Sequence, residues 1–312
     1  MARFTFADIQ HAASVIDAVF LNTPQFECET LGSMLGCRIS LKVETLNLIR
    51  SFKGRGADLL TYNSKDKSIM CASAGNFGQA MAWSCRKRGI HLTVYASVHA
   101  NTFKVARMRE LGANVILSGE DFDAAKAAAR TAATQKGIRF VEDSLDVDTV
   151  VGAGTIGLEL FRSNYADCIL VPLGNGALVN GIAMAASNSR SSAKIIAIQS
   201  AGAPAMIESW RSGTIISHDR ITTIADGIGV RLPVAEAVEE MKELVHDGML
   251  VKEETIIKAM QLLRLHAGII VEPSAAVGLA ALLENRELFA GKSVVLILTG
   301  SNLTEQQLQQ WF

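Results

Sequence analysis

The feature that most constrains this chain is the regular exchange of short β-branched runs for amphipathic helical stretches. The spacing predicts strands at Ser68–Ser73, His91–Ala96, Val115–Leu117 and near Ile138–Val141. Between them it predicts helices at Gln79–Arg88, Phe103–Leu111 and Phe122–Gln135. Further along, helices at Thr155–Arg162 and Leu178–Ala186 bracket a strand at Cys168–Leu173, and another strand follows at Lys194–Gln199. Helices at Val234–Val245, Thr255–Leu265 and Ser274–Leu283 precede a last strand, Val294–Leu298. Alternation of this kind predicts an α/β fold of parallel sheets with right-handed crossovers and helices on both faces. Residues 66–143 carry three strand–helix units, enough for a small sheet of their own. The expected division is therefore a large domain of residues 1–65 and 144–312 with 66–143 inserted. No Pro/Gly/Ser-rich linker is visible, so the second lobe must fold against the first. In open α/β sheets, ligands sit at the carboxyl ends of the strands, and the loops there are the places to look.

Charge and composition narrow the function. Thirty Lys and Arg against thirty-one Asp and Glu leave a net charge of −1, which excludes a broadly basic nucleic-acid binder. A hydrophobic content of 49% excludes intrinsic disorder. The longest apolar runs, Ile269–Val271 and Val294–Leu298, fall far short of the ~20 residues that cross a membrane. Arg3, Asp8, Gln10 and His11 interrupt the start, so no secretory signal is expected. The five cysteines are scattered, without a Cys-x-x-Cys pair, and read as reduced thiols of a cytoplasmic protein. The six histidines lack metal-ligand spacing.

Three segments could carry chemistry. In Ser51-Phe52-Lys53-Gly54-Arg55-Gly56-Ala57, the lysine lies between Phe and Gly. Partial desolvation there would favour a neutral, nucleophilic amine able to form a Schiff base with a carbonyl cofactor. The plain alternative is a solvated lysine in a Gly-rich turn. Ser73-Ala74-Gly75-Asn76-Phe77 joins a strand to a helix, so its hydroxyl, amide and first helical N–H groups suit a carboxylate-sized anion. Ordinary capping by Ser73 or Asn76 would explain it equally well. Gly174-Asn175-Gly176-Ala177-Leu178 is a second strand–loop–helix turn, whose successive N–H groups could wrap a phosphate.

Two other patterns mislead. Gly152-Ala153-Gly154-Thr155-Ile156-Gly157 matches the dinucleotide fingerprint, but Asp143–Thr149 before it is polar, and no carboxylate ends the next strand. Gly291-Lys292-Ser293 resembles the end of a P-loop, but Arg286 occupies the required upstream glycine position.

Taken in order, Lys53 in its Ser-Phe-Lys-Gly-Arg-Gly-Ala run, Ser73-Ala74-Gly75-Asn76, the glycine loop, Glu272-Pro273-Ser274 and Thr299-Gly300-Ser301-Asn302 resemble the threonine/serine dehydratase branch of the fold-type II pyridoxal-phosphate enzymes. The resemblance begins at Leu21-Asn22-Thr23-Pro24 and covers nearly the whole chain. It implies two parallel-sheet α/β lobes, tryptophan synthase β-like, with the active site in the cleft between them and a homodimeric assembly. Lys53 would carry pyridoxal 5′-phosphate and, once substrate displaces it, move the Cα proton. Asn76 would hydrogen-bond the cofactor's 3′-oxygen, and residues 174–178 would hold its phosphate. Thr299 would contact the pyridine nitrogen, with Phe52 and Glu272 completing the cofactor set. Ser73, Ala74, Gly75, Asn76 and Phe77 would receive the substrate. A neutral hydroxyl at the ring nitrogen makes a weaker electron sink, which suits β-elimination better than transamination.

The implied reaction converts a β-hydroxy amino acid such as threonine or serine to a 2-keto acid and ammonia. The β-hydroxyl leaves as water, and its proton comes from the cofactor phosphate or a nearby acid that the motifs do not identify. Related racemases carry serine where Ala74 stands, and alanine cannot hold a proton, so racemisation is not expected. Phe77 replaces a frequent histidine, which makes that wall more apolar. Asn175 and Ala177 replace loop glycines. Gln199–Ala205 contains no acid, so no structural Mg²⁺ or Ca²⁺ is expected there. Only eleven residues follow Ser301, so neither a C-terminal regulatory domain nor feedback by isoleucine is expected. A β-replacement synthase, of the cysteine synthase or threonine synthase kind, is the alternative within this chemistry. A non-catalytic amino-acid-binding protein is the alternative outside it, and the intact Lys53 and Ser73/Asn76 argue against it.

Overall fold

The structure is a computed structural model and describes residues 2–163, 166–189 and 191–312. Ten strands are described: β1 (Gln25–Glu27), β2 (Arg38–Val43), β3 (Ser68–Ala72), β4 (His91–Ala96), β5 (Asn114–Leu117), β6 (Arg139–Val141), β7 (Cys168–Pro172), β8 (Lys194–Ser200), β9 (Asp247–Val251) and β10 (Ser293–Leu298). They form two sheets. The first is six-stranded in the order β1-β2-β10-β7-β8-β9, and the second is four-stranded in the order β5-β4-β3-β6. Every pairing in the smaller sheet is parallel. The larger sheet departs from expectation at one edge, where β1 runs antiparallel to β2. A strand of three residues is too short to show an alternating pattern, and α2 lies between it and the neighbour it pairs with.

The helices cover both sheets. Along the first part of the chain run α1 (Phe6–Val15), α2 (Glu29–Leu35), α3 (Lys53–Asn63), α4 (Asn76–Arg88), α5 (Thr102–Glu110) and α6 (Phe122–Lys136). Then follow α7 (Val147–Ser163), α8 (Ala177–Ser187), α9 (Ala205–Ser212), α10 (Ala235–Leu244), α11 (Glu253–Ala267) and α12 (Pro273–Glu284). Local chemistry sets many of their ends. Thr5 and Asp8 close a capping box on α1, Asp121 caps α6 through the Ala124 N–H at 2.8 Å, and Pro273 opens α12. Among the described residues, no helix is long and apolar enough to cross a membrane.

Periodicity leaves α1, α2, α3, β2 and β9 unassigned, and α3 shows why. Its first turn contains Gly54 and Gly56, both poor helix formers. A Cβ on Gly54 would lie 2.3 Å from the Phe20 ring, and one on Gly56 would lie 2.8 Å from the Thr149 Cα. Close packing decides these residues, and local propensity does not. The Gly152–Gly157 pattern has the same origin. It lies wholly inside α7, where a Cβ on Gly152 would approach the Arg55 carbonyl oxygen to 2.6 Å and one on Gly157 would meet the Ala185 Cβ at 2.6 Å. These glycines let α3, α7 and α8 touch backbone to backbone. They have no part in binding a dinucleotide.

A buried ion network locks α3 in place. Arg55, fully buried, donates from Nε and Nη2 to Glu44 at 2.9 Å each, and from Nη1 to Glu159 on α7 at 2.6 Å. Lys42 on β2, also buried, donates to Glu159 at 2.5 Å and to the Thr23 carbonyl at 2.8 Å. Burial alone would favour neutral Glu159, but the Arg55 and Lys42 charges outweigh it and pull its pKa down to about 2. Two carboxylates and two cations thus neutralise one another, with Glu44, Arg55 and Lys42 buried and Glu159 at the edge of the network. Removing one member strands the others. Arg55→Met should cost about 3–5 kcal/mol in a urea melt. A carboxylate with a lowered native pKa contributes stability that is complete above its unfolded value near 4.5 and lost as pH falls through about 2. Between those values the wild type should therefore lose more stability than Glu159→Gln.

Candidate active site

The carboxyl ends of both sheets open onto a cavity of about 400 Å³. Its lining contains every residue singled out in the sequence: Phe52 and Lys53, the loop Ser73–Phe77, the loop Gly174–Leu178, Glu272 and Thr299. A second groove of about 420 Å³, between α1, α7 and α8, is lined by groups such as Phe6, Leu158 and Phe161, and among the described residues Arg162 is its one ionisable member.

Lys53 is the first residue of α3, and its side chain is 17% exposed. The backbone before it is tied to the larger sheet: Phe52 N–H donates to the Thr299 carbonyl at 3.0 Å, and Ser51 bridges to Gly300. Desolvation is only part of its surroundings. Nζ lies 4.7 Å from the Phe52 ring centroid and 2.5 Å from the Asp143 Oδ2. The motifs missed Asp143, although it stands just beyond the carboxyl end of β6, where the strand-end rule directs attention.

At the head of α4 the expected capping takes a different form. The N-cap is Gly75, which has no capping side chain, and the Ser73 hydroxyl accepts from Gly78 N–H at 2.9 Å and from Gly75 N–H at 3.2 Å. Ser73 therefore does a cap's work from outside the helix and still has its hydroxyl hydrogen to offer the cavity. The first-turn N–H groups of Asn76 and Phe77 have no intrahelical acceptor. Asn76 is clamped at both ends of its amide, donating to Glu272 Oε1 at 2.7 Å and accepting from Asn302 Nδ2 at 2.8 Å. Asn302 was part of the Thr299–Asn302 motif but had been given no role. Across the cavity, Gly176 adopts φ +99°, and a Cβ there would meet Ala237 at 2.9 Å, so glycine is required. Ala177 N–H donates to the Ser144 Oγ at 3.1 Å. The N–H groups of Gly174, Asn175, Gly176 and Leu178 line the same turn at the start of α8.

The cavity's charges are mostly neutralised within it. Lys104 of α5 is buried and pairs with Asp226 at 2.5 Å, so the two sheets' surroundings meet in an ion pair. Its burial disfavours the charge, but Asp226 and Glu272 outweigh that and raise its pKa. Glu272 is pushed up to about 7, first by burial and also by Asp226, against the pull of Lys104, the Asn302 N–H and Asn76. The region expected to lack a metal ligand, Gln199–Ala205, does receive a carboxylate, because Glu253 of α11 bonds Ser200, Thr223 and the Ile224 N–H.

Residues 16–300 match the family model described as pyridoxal-phosphate dependent enzyme. The chain belongs to this family. It is 33% identical over 304 residues to an L-threonine ammonia-lyase of Thermotoga maritima, covering 96% of this chain and 76% of the relative. Among solved structures it is similar to a threonine deaminase isoform 2 from Solanum lycopersicum, with TM-score 0.90, 27% identity and coverage of 97% of this chain and 85% of that one. Maize serine racemase superposes with TM-score 0.92 at 27% identity, over 98% of this chain and 96% of that one. The fold is that of the fold-type II enzymes, and the cofactor is pyridoxal phosphate. The cavity suits it. A primary amine opens into one side, a turn of N–H donors with glycine at 174 and 176 lies at a helix N-terminus in the same wall, and the buried Thr299 hydroxyl lies in the lining.

The raised Glu272 carries a prediction. An acid whose native pKa lies above its unfolded value costs stability as pH rises from about 4.5 to about 7, and the cost is constant beyond that. Glu272→Gln, uncharged at every pH, should gain on the wild type across this interval by at most about 3 kcal/mol. Urea midpoints taken from pH 4.5 to 8 measure the difference.

Proposed function

We propose that the protein is an ammonia-lyase that eliminates water from a β-hydroxy amino acid, threonine or serine, to release a 2-keto acid and ammonia. The observation that carries this reading is the Lys53 amine opening into a cavity between two helix N-termini, one suited to a phosphate and the other to a carboxylate. The named relative is an L-threonine ammonia-lyase and one structural neighbour is a threonine deaminase, which supports the same chemistry. The reading includes a division into a domain of residues 1–65 and 144–312 and an inserted domain of 66–143. It also includes the homodimer and cytoplasmic location that the resemblance implies.

Pyridoxal phosphate, when bound, supplies an aldehyde that joins amines and a ring that draws electrons from Cα. The chain's residues do the rest. Lys53 Nζ holds the cofactor covalently between turnovers and then, as a free amine, takes the Cα proton, general-base work worth about 10²–10⁴-fold. Ser73 and the first N–H groups of α4 hold the substrate carboxylate, and Asn76, fixed by Glu272 and Asn302, presents a rigid edge to the ring. The turn at 174–178 grips the phosphate through backbone N–H groups, which need no lysine or arginine. Thr299 would be the partner of the ring nitrogen and would give it a neutral hydroxyl in place of a carboxylate. The methyl of Ala74 offers no proton to the second face of Cα, which directs the site to elimination and away from racemisation.

Borohydride reduction of the holoprotein followed by peptide mapping should place the cofactor on Lys53. Lys53→Ala should lose the cofactor's absorbance band and lower keto-acid release from L-threonine or L-serine by at least about 10²-fold. Release of keto acid only when a second nucleophile is supplied would point to β-replacement instead.

A further inference from the structure

Lys53 and Asp143 come from opposite parts of the pocket wall, one opening α3 and the other following β6, yet their side chains meet at 2.5 Å. We propose that Asp143 is a catalytic residue, the acid that protonates the departing β-hydroxyl and recovers its proton from Lys53. The proposal rests on the β-elimination reading above and supplies the proton source that the motifs left unidentified.

Three observations carry it. First, the two Asp143 oxygens are treated differently. Oδ2 accepts from Lys53, whereas Oδ1 is sealed from solvent with no hydrogen-bond partner among the described residues. A buried carboxylate oxygen without a donor is costly, so the Asp143 carboxyl, on a residue of the cavity wall, keeps hydrogen-bonding capacity that the protein leaves unused. Second, the backbone is built to hold the residue there. Ser144, directly after it, adopts φ +69°, a left-handed conformation that costs a non-glycine residue and persists only where its surroundings impose it. Those surroundings are specific: Ser144 N–H donates to Thr149 Oγ1 at 2.9 Å, its Oγ accepts from Ala177 N–H at 3.1 Å, and its carbonyl accepts from Arg3 at 2.8 Å. Third, the other carboxylates of the wall are committed. Asp226 holds Lys104, and both oxygens of Glu272 accept from Asn76 and Asn302.

The step balances. Lys53, as a free amine, takes the Cα proton and becomes an ammonium. The Cα–H electron pair becomes the Cα=Cβ bond as the Cβ–O bond breaks, and that bond's electrons leave with the oxygen. Asp143 takes a proton from the Lys53 ammonium and delivers one to the oxygen, which departs as water. Lys53 is then neutral and Asp143 ionised, as at the start. One proton crosses from Cα to the leaving group through two side chains already in hydrogen-bond contact, within the reach that general acid–base catalysis requires.

A leaving group that needs no proton separates this role from others. Chloride is one, so L-serine and β-chloro-L-alanine are compared in the holoenzyme and in Asp143→Asn, which keeps the side-chain shape but cannot relay a proton. The ratio of kcat/KM for L-serine to that for β-chloro-L-alanine should fall at least about thirtyfold in the variant, chiefly through kcat. Asp143→Glu should restore part of it. Pyridoxal phosphate titrated into the apoprotein should give a Kd within about threefold of wild type, a difference under ~1 kcal/mol. An unchanged substrate ratio overturns the proposal, since Asp143 would then be inert or would only position Lys53. A tenfold or greater weakening of cofactor binding overturns it too, since the residue would then act on the cofactor site. A wild-type protein that eliminates neither substrate refutes the β-elimination reading itself, and the proposal with it.

Discussion

The position of Lys53 depends on the Arg55 guanidinium buried two residues beyond it. Arg55 is bonded to Glu44, which follows β2, and to Glu159 on α7, so one side chain joins the larger sheet, the lysine's helix and the helix behind it. Arg55 and Glu44 are fully buried and would be costly alone, so the arrangement tolerates little displacement. A helix whose first turn contains two glycines would otherwise fray at its N-terminus, where the reactive amine must be held. Packing without side chains at Gly54 and Gly56, together with charge neutralisation at Arg55, replaces the helix propensity that the sequence lacks there.

The cavity follows from how the two sheets face each other. Each presents strand carboxyl ends, and each ends in a strand–turn–helix unit whose free N–H groups point inward. The smaller sheet contributes the 73–77 turn and Asp143. The larger contributes the 174–178 turn, Glu272 and the 299–302 segment. Across the cleft the contacts are polar, Asn76 with Glu272 and Asn302, Lys53 with Asp143, and Lys104 with Asp226, while behind it α3 and α4 share an apolar core that includes Phe20, Leu60 and Met81. Polar contacts can exchange partners when an amino acid enters the cleft, whereas the apolar core behind holds the two parts together.

Charge within the cleft is arranged economically. Lys104 and Asp226 neutralise each other, and Glu272 rests near its protonation midpoint at neutral pH because burial opposes its charge. Asn76 is thereby oriented by partners that add little net field. Lys53 and Asp143 form a second ion pair, and they are the two groups closest to the proposed proton transfers.

Much of this was legible from residue order. Strands and helices between residues 68 and 143 fall close to where periodicity puts them, because buried parallel strands and amphipathic helices write distinct repeats. The two turns proposed to bind anions were legible as strand–turn–helix junctions, although capping alone explained the first equally well at that level. Sequence reading placed α4 three residues late, since its first turn, Asn76-Phe77-Gly78, has no capping side chain and no apolar repeat. The glycines of α7 resembled a nucleotide loop because a pattern of small residues does not say whether a ligand or another helix is the close neighbour.

Local order therefore determined the alternation of elements, the candidate lysine in its glycine-rich run and the two strand–turn–helix turns, each of which depends on residues within a few positions of one another. Tertiary structure alone decided that Asp143 meets a lysine 90 positions away, that Glu272 and Asn302 clamp Asn76, and that Arg55 is buried between two carboxylates. The reason is physical. Charge pairing and burial act through space, and no spacing along the chain records which acid will lie beside which base once two sheets close on each other.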